Sequence, residues 1–125
     1  MKNSPNIFLA KKESTRLDLY ERVKKARQFI SNNLHANLDI KSIAETACLS
    51  EYHFIRTFGN TYGLTPYQYL LKQRIDKAER MLLRNMYSIH EISHACGFET
   101  VQTFRKCFKR MTGRSPSQYV KELTI

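Results

Sequence analysis

The chain has 125 residues, 42% of them hydrophobic and 26% charged, which suits one packed domain or two very small ones. Lys plus Arg number 21 against 11 Asp plus Glu, and a formal net charge of +10 points to a polyanionic partner, nucleic acid or an anionic membrane surface. Only 4 Gly, 3 Pro and an odd 3 Cys are present, with no apolar run near the ~18 residues of a membrane helix. A collagenous chain, a disulfide framework and a membrane span are therefore excluded, and a soluble protein of a reducing compartment is expected.

Residues 1–16 show weak periodicity and read as a loose arm. Tyr20, Val23, Arg27 (through its stem), Ile30 and Leu34 then recur at threes and fours, predicting a helix over about 17–34. Asn32-Asn33 and His35-Ala36-Asn37 end it. Asp39 can cap a helix over 40–47, and Ser50 one over 51–62. After the stop at Gly63, Thr65-Pro66-Tyr67-Gln68 combines a hydroxyl cap, Pro at the first helical position and Gln three residues after the cap. The helix that follows, to about Arg84, would be ~28 Å long and lines up Leu70, Arg74, Ala78 and Leu82. Arg74, Lys77 and Arg80 on it are expected at the surface or paired with Asp76 and Glu79. Ser88-Ile89-His90-Glu91 is a capping box, Gly97 suits a left-handed turn, and Ser115-Pro116-Ser117-Gln118 repeats the earlier cap after Gly113. No stretch alternates with a period of two, so the fold class is all-α.

Sliding the chain along itself exposes an internal repeat. Phe54, Phe58, Gly63, Pro66 and Tyr69 match Phe104, Phe108, Gly113, Pro116 and Tyr119, every pair 50 apart. Upstream, Ile40, Ile43 and Leu49 match Ile89, Ile92 and Phe98, each 49 apart, so one residue is added between Phe98 and Phe104. Two copies of one unit result, over roughly 38–71 and 87–121.

Two short helices joined by a tight turn form a helix-turn-helix, whose second helix enters the DNA major groove. Such a helix needs two faces. The Phe pairs, four apart, anchor one face to a core, leaving Tyr52, His53, Ile55, Arg56 and Asn60 outward in the first copy. In the second copy the outward set is Thr100, Val101, Gln102, Arg105, Lys106, Lys109 and Arg110. Arg pairs bidentately with guanine and Gln with adenine, while Val or Ile can touch a thymine methyl. Lys, Arg, Thr and Asn also suit phosphates. Residues 101–114 hold five basic side chains and no acid, whereas 51–62 hold Glu51 and Arg56, so the second copy should supply more of the attraction.

These strings resemble the AraC/XylS transcriptional regulators over about residues 20–121. The resemblance is densest in Ile89-x-x-Ile92, Cys96-Gly97-Phe98-Glu99, Phe104-Arg105-Lys106-x-Phe108-Lys109 and Gly113-x-Ser115-Pro116-x-x-Tyr119. Beyond the arm (1–16), it implies a first helix-turn-helix subdomain (17–64), a linking helix (65–85) and a second subdomain (86–125), each subdomain a homeodomain-like three-helix unit. It further implies two recognition helices in successive major grooves of one asymmetric double-stranded site, about one turn or ~34 Å apart. Base contacts fall on Tyr52, Ile55, Arg56, Val101, Gln102, Arg105 and Lys106; phosphate contacts on Ser50, His53, Asn60, Thr100, Thr103, Lys109 and Arg110. Cys48 stands where a turn glycine is frequent in the family, which predicts a strained or differently shaped first turn.

The function expected is that of a sequence-specific transcriptional regulator, an activator working beside RNA polymerase in the bacterial cytoplasm, at the nucleoid. It would need no cofactor, metal, membrane or catalytic residue, and is expected to be either a stand-alone short regulator or the DNA-binding portion of a protein whose effector-sensing domain is absent from this chain. Three other readings compete. Charge alone would make a non-specific architectural binder, with steep salt dependence and little discrimination. His90-Glu91-Ile92-Ser93-His94 matches HExxH, the zinc-hydrolase run, although Glu91 already has a capping role and Thr100 sits where metzincins place a third His. A helical adaptor for an acidic protein is the last.

Overall fold

In a computed structural model, residues 4–123 are described, with side chains from Thr15 onward. Seven helices and no strand occur among the described residues: α1 (Ser4–Asn32), α2 (Ile40–Thr46), α3 (Glu51–Tyr62), α4 (Pro66–Arg84), α5 (Ile89–Ala95), α6 (Val101–Thr112) and α7 (Pro116–Leu123). The all-α expectation holds.

The first helix differs from its expected span. Residues 4–16, read from the sequence as an arm, are helical, while residues 1–3 lie outside the described residues. Ser4-Pro5 is a favourable helix start, and neither Gly nor Pro interrupts the chain from Asn6 to Asn32. A weak apolar pattern is therefore compatible with helix here, and periodicity alone under-reads it. At the other end Leu34 is buried beyond the helix, within the turn that follows.

Packing divides the chain into two units. The first joins α1 up to Ile30 with Asp39–Pro66. Val23, Ala26 and Ile30 of α1, Ile43 and Ala44 of α2, and Phe54 and Phe58 of α3 are all buried there. Fully burying the Val, Ile and Phe side chains contributes roughly 1.5–3 kcal/mol each, before the cost of ordering the chain. Arg27 places its guanidinium 4.9 Å from the centre of the Tyr62 ring, a cation–π contact over apolar surface.

The second unit joins Ser31–Leu38 with the chain from Tyr67 onward. Its core takes Ile75, Ala78 and Leu82 from α4, Ile92 from α5, Phe104, Cys107 and Phe108 from α6, and Tyr119 from α7. Cys96 and Phe98, in the turn between α5 and α6, complete it. Burial pushes the Cys96 thiol up to about 11, so it behaves as a small apolar side chain.

Arg74 corrects the expectation of a surface charge. It is 9% exposed; its Nε donates to Leu34 O at 2.9 Å and its Nη2 to Ala36 O at 2.8 Å. The carbonyls of the turn after α1 need donors, and a guanidinium supplies two in a fixed fork. Lys77 likewise donates to Ala95 O at the end of α5, at 3.0 Å. Asp76 pairs instead with Lys72, at 3.5 Å.

Candidate nucleic-acid interface

In the first unit, Asp39 caps α2 by accepting the Ser42 N–H at 2.8 Å, a bond that holds its carboxylate below the usual pKa. The helix ends in a paired-bond turn: Cys48 N–H donates to Glu45 O and Leu49 N–H to Ala44 O. Cys48 occupies the left-handed region with φ 57°, the strain its sequence position predicts for a residue with a Cβ. Ser50 then caps α3, its hydroxyl accepting the His53 N–H at 3.2 Å. Phe54 and Phe58 hold the buried side, with ring centres 5.6 Å apart. Tyr52, Ile55 and Arg56 lie on the outer side at spacings of three and four, followed by Asn60. Tyr52 is 74% exposed, and its hydroxyl accepts from Arg56 Nη1 at 3.3 Å.

The second unit repeats the construction. Ser88 and Glu91 form both arms of the capping box, at 3.1 and 2.8 Å. Gly97 N–H donates to His94 O and Phe98 N–H to Ser93 O, closing the same turn with φ 85° at Gly97. Here glycine is required twice over. A Cβ would run into Leu34 O and come within 2.8 Å of Arg74 Nε. Thr100 caps α6 by accepting the Thr103 N–H at 3.1 Å, and its own hydroxyl donates to Thr103 Oγ1 at 2.9 Å. Phe104, Cys107 and Phe108 face the core. Gln102, Arg105, Lys106 and Lys109 share the outer side, with Thr103 and Arg110 on its flank. Arg114, grouped with these charges in the sequence, is instead paired with Glu122 at 2.6 Å.

A helix-turn-helix domain family matches residues 43–122. The C-terminal domain of AraT, a response regulator from Geobacillus stearothermophilus, has the same fold at TM-score 0.79, with 32% identity over 83% of this chain and 87% of that one. The chain belongs to the AraC-type helix-turn-helix family. The DNA-binding domain of AdpA, solved in complex with a target DNA, is similar at TM-score 0.76 and 31% identity, over 80% of this chain and 90% of that one. The arabinose operon regulatory protein of Escherichia coli K12 is 32% identical over 108 residues, 86% of this chain and 37% of that protein. The chain thus spans little more than a third of the length of the curated relatives it matches. Family and fold are those of transcription regulators.

Within the AraC-type domain, the candidate contacts fall into two groups, one per unit. Tyr52, Ile55, Arg56, Ser50, His53 and Asn60 are exposed on α3 or at its cap. Gln102, Thr103, Arg105, Lys106, Lys109, Arg110 and the cap Thr100 are exposed on α6, and Val101 is half-buried. Since the Ser50 and Thr100 oxygens accept capping bonds, the backbone amides of the first helical turn are the further donors they position. The HExxH-like run has no support in the family or the geometry. Glu91 Oε1 is engaged by the Ser88 N–H, and no cluster of three His, Cys, Asp or Glu fit for a metal occurs among the described residues.

No helix among the described residues is long and apolar enough to cross a membrane. Pattern-reading missed the buried Arg74 fork and a cavity of about 910 Å³ beside α6. Arg74 does sit on the apolar stripe of α4, the one available signal; the cavity has none, because four separated segments build it.

Proposed function

We propose that the chain is a sequence-specific, double-stranded DNA-binding regulator of transcription, and that α3 and α6 are its two recognition helices. The observation that carries this is the outer side of α6. Gln102, Arg105, Lys106, Lys109 and Arg110 are all exposed there, with no acid in the helix, while three core residues fix the opposite side. Arg105 and Lys106 suit guanine edges and Gln102 an adenine edge, with Val101 against a thymine methyl. Thr100, Thr103, Lys109 and Arg110 hold flanking phosphates and supply salt-dependent affinity. Tyr52, Ile55 and Arg56 read a second block of bases, gripped by Ser50, His53 and Asn60. The two outer surfaces differ, so the site is asymmetric. Activation beside RNA polymerase, in the bacterial cytoplasm at the nucleoid, extends this reading.

Selection from random double-stranded DNA at physiological salt tests the reading. The expected result is an asymmetric motif with two information-rich blocks. One block alone would demote the α3 contacts to a grip on phosphates. Retention without any sequence enrichment would replace the proposal with a non-specific binder.

A further inference from the structure

The turn between α5 and α6 has a support outside the helix-turn-helix itself. Its own bonds, Gly97 N–H to His94 O and Phe98 N–H to Ser93 O, fix its internal shape, and Ser93 Oγ donates across it to Thr100 O at 3.3 Å. The Arg74 guanidinium holds it from α4. A Cβ on Gly97 would sit 2.8 Å from Arg74 Nε and 2.9 Å from its Cζ, and would also run into Leu34 O. The same Cζ is 5.9 Å from the centre of the Phe98 ring, which is 5.3 Å from the Phe104 ring of α6. The guanidinium cannot slide away, because Leu34 O and Ala36 O hold its planar fork at two points.

The position is repeated. Arg22, Val23, Ala26 and Ile30 of α1 match Arg74, Ile75, Ala78 and Leu82 of α4, each pair 52 apart. In the first unit the arginine also reaches the turn, where Arg22 Nη1 donates to Cys48 O. That bond is exposed and 3.4 Å long, and Arg22 is shared with Asp18 at 3.0 Å. Of the two, only Arg74 is buried and seated on a glycine.

We infer that Arg74 is a positioning residue for DNA reading by α6: fastened to the 34–36 turn and set against Gly97 and Phe98, it fixes where α6 starts, and so where Val101 and Gln102 stand. The inference rests on the DNA reading of α6. The cap Thr100 follows Phe98 by two residues, and Val101 and Gln102 open the helix. Phe104, Cys107 and Phe108 anchor α6 further along, so its first turn depends on what holds the preceding loop. A hydrogen bond to a base edge needs about 2.7–3.2 Å, so a shift of about 1 Å at the helix start breaks the pair Gln102 would make with adenine. A packing role alone would not call for arginine. No carboxylate pairs with it among the described residues, and burying a guanidinium without one is costly where an apolar side chain would fill the space. Nor is Arg74 a phosphate contact, since it is buried and its donors are engaged by carbonyls.

The test is Arg74→Lys in the whole chain, which keeps the charge but replaces the fork with a single point donor. Binding is titrated on the sequence enriched from random DNA and on duplexes with one base-pair change in either block, the α6 block being the one that Arg105→Ala blurs. Arg74→Lys should lower discrimination in the α6 block at least about fivefold and leave that in the α3 block within about twofold. A merely structural role would weaken binding to every sequence by one factor and leave both ratios unmoved, which would overturn the inference. Loss from both blocks alike would overturn it too. Should the variant lose its helical circular dichroism, Phe98→Leu stays apolar but removes the ring beside the guanidinium, and should cost at least about twofold in the α6 block alone. In the free protein, Arg74→Lys should move the amide NMR signals of residues 97–103 and leave those of 107–112 in place; shifts spread evenly over both would count against the role. A wild-type protein that enriches no sequence sinks the DNA reading and the role with it. Two clear blocks in the wild type, with an unmoved α6 ratio in the variant, sink the role alone, so the two failures are distinguishable.

Discussion

The two helix-turn-helix units solve the same packing problem with nearly the same parts and then diverge on the surface. Phe54 and Phe58 meet at 5.6 Å and 61°, and Phe104 and Phe108 at 5.7 Å and 61°. Helices α3 and α6 both have 12 residues, a hydroxyl N-cap and a left-handed glycine at the end, Gly63 or Gly113. Their outer sides share almost nothing. α3 offers Tyr52, Ile55 and Arg56 with one acid, Glu51, in its first turn; α6 offers four cations and no acid. Positions that face the core must fit a volume, so they repeat. Those facing outward answer to a partner, so each unit can address a different one.

The sharpest way to break this symmetry is through the core. Phe104→Ala should cost about 3–5 kcal/mol and unfold the second unit, and Phe54→Ala should do the same to the first. Urea denaturation with NMR reporters in each unit would check it; equal loss from both units in each variant would refute the division. The turns come next. Gly97→Ala should destabilise by about 2–3 kcal/mol, since it adds a clash with Leu34 O to left-handed strain. Cys48→Gly should stabilise by up to about 1 kcal/mol, which thermal melts can resolve.

On DNA, Arg105→Ala should weaken specific binding by about 1–3 kcal/mol, with Lys109→Ala lowering the salt slope by about one. Arg56→Ala should cost less than Arg105→Ala, and the reverse order in a binding titration would shift the dominant reader to α3. The smallest effect separates the thiols. At pH 8 a maleimide should label exposed Cys48 quickly, whereas Cys96, held near pKa 11 by burial, stays unreacted until urea opens the second unit.

Local rules made much of this molecule legible from its residues. A cap is a contact between neighbours, so Asp39, Ser50, Ser88 with Glu91, and Ser115 with Gln118 could all be assigned by spacing, and the hydrogen bonds are present. The Phe pairs were legible because a repeat doubles a weak signal. Arg74 was not, since its acceptors lie 40 and 38 residues upstream, and composition marks a lone Arg as surface. The first helical turns of α1 were missed for a different reason: a helix can continue without an apolar stripe. Which outer residues touch bases was legible only as an exposed, chemically suitable set, because helical spacing fixes a face and not a partner.

The Arg74 fork bears on the order in which the chain can assemble. Leu34 and Ala36 leave the ribosome some 40 residues before the guanidinium that bonds them, and the whole first helix-turn-helix is synthesised in between. By the time Pro66 is added, every segment of the first unit has been made. The second must wait for α4 and then reach back past a finished neighbour to recover its own opening segment. A fragment starting at Tyr67 would leave that segment behind, and Arg74 would enter the interior with neither of its two carbonyl acceptors.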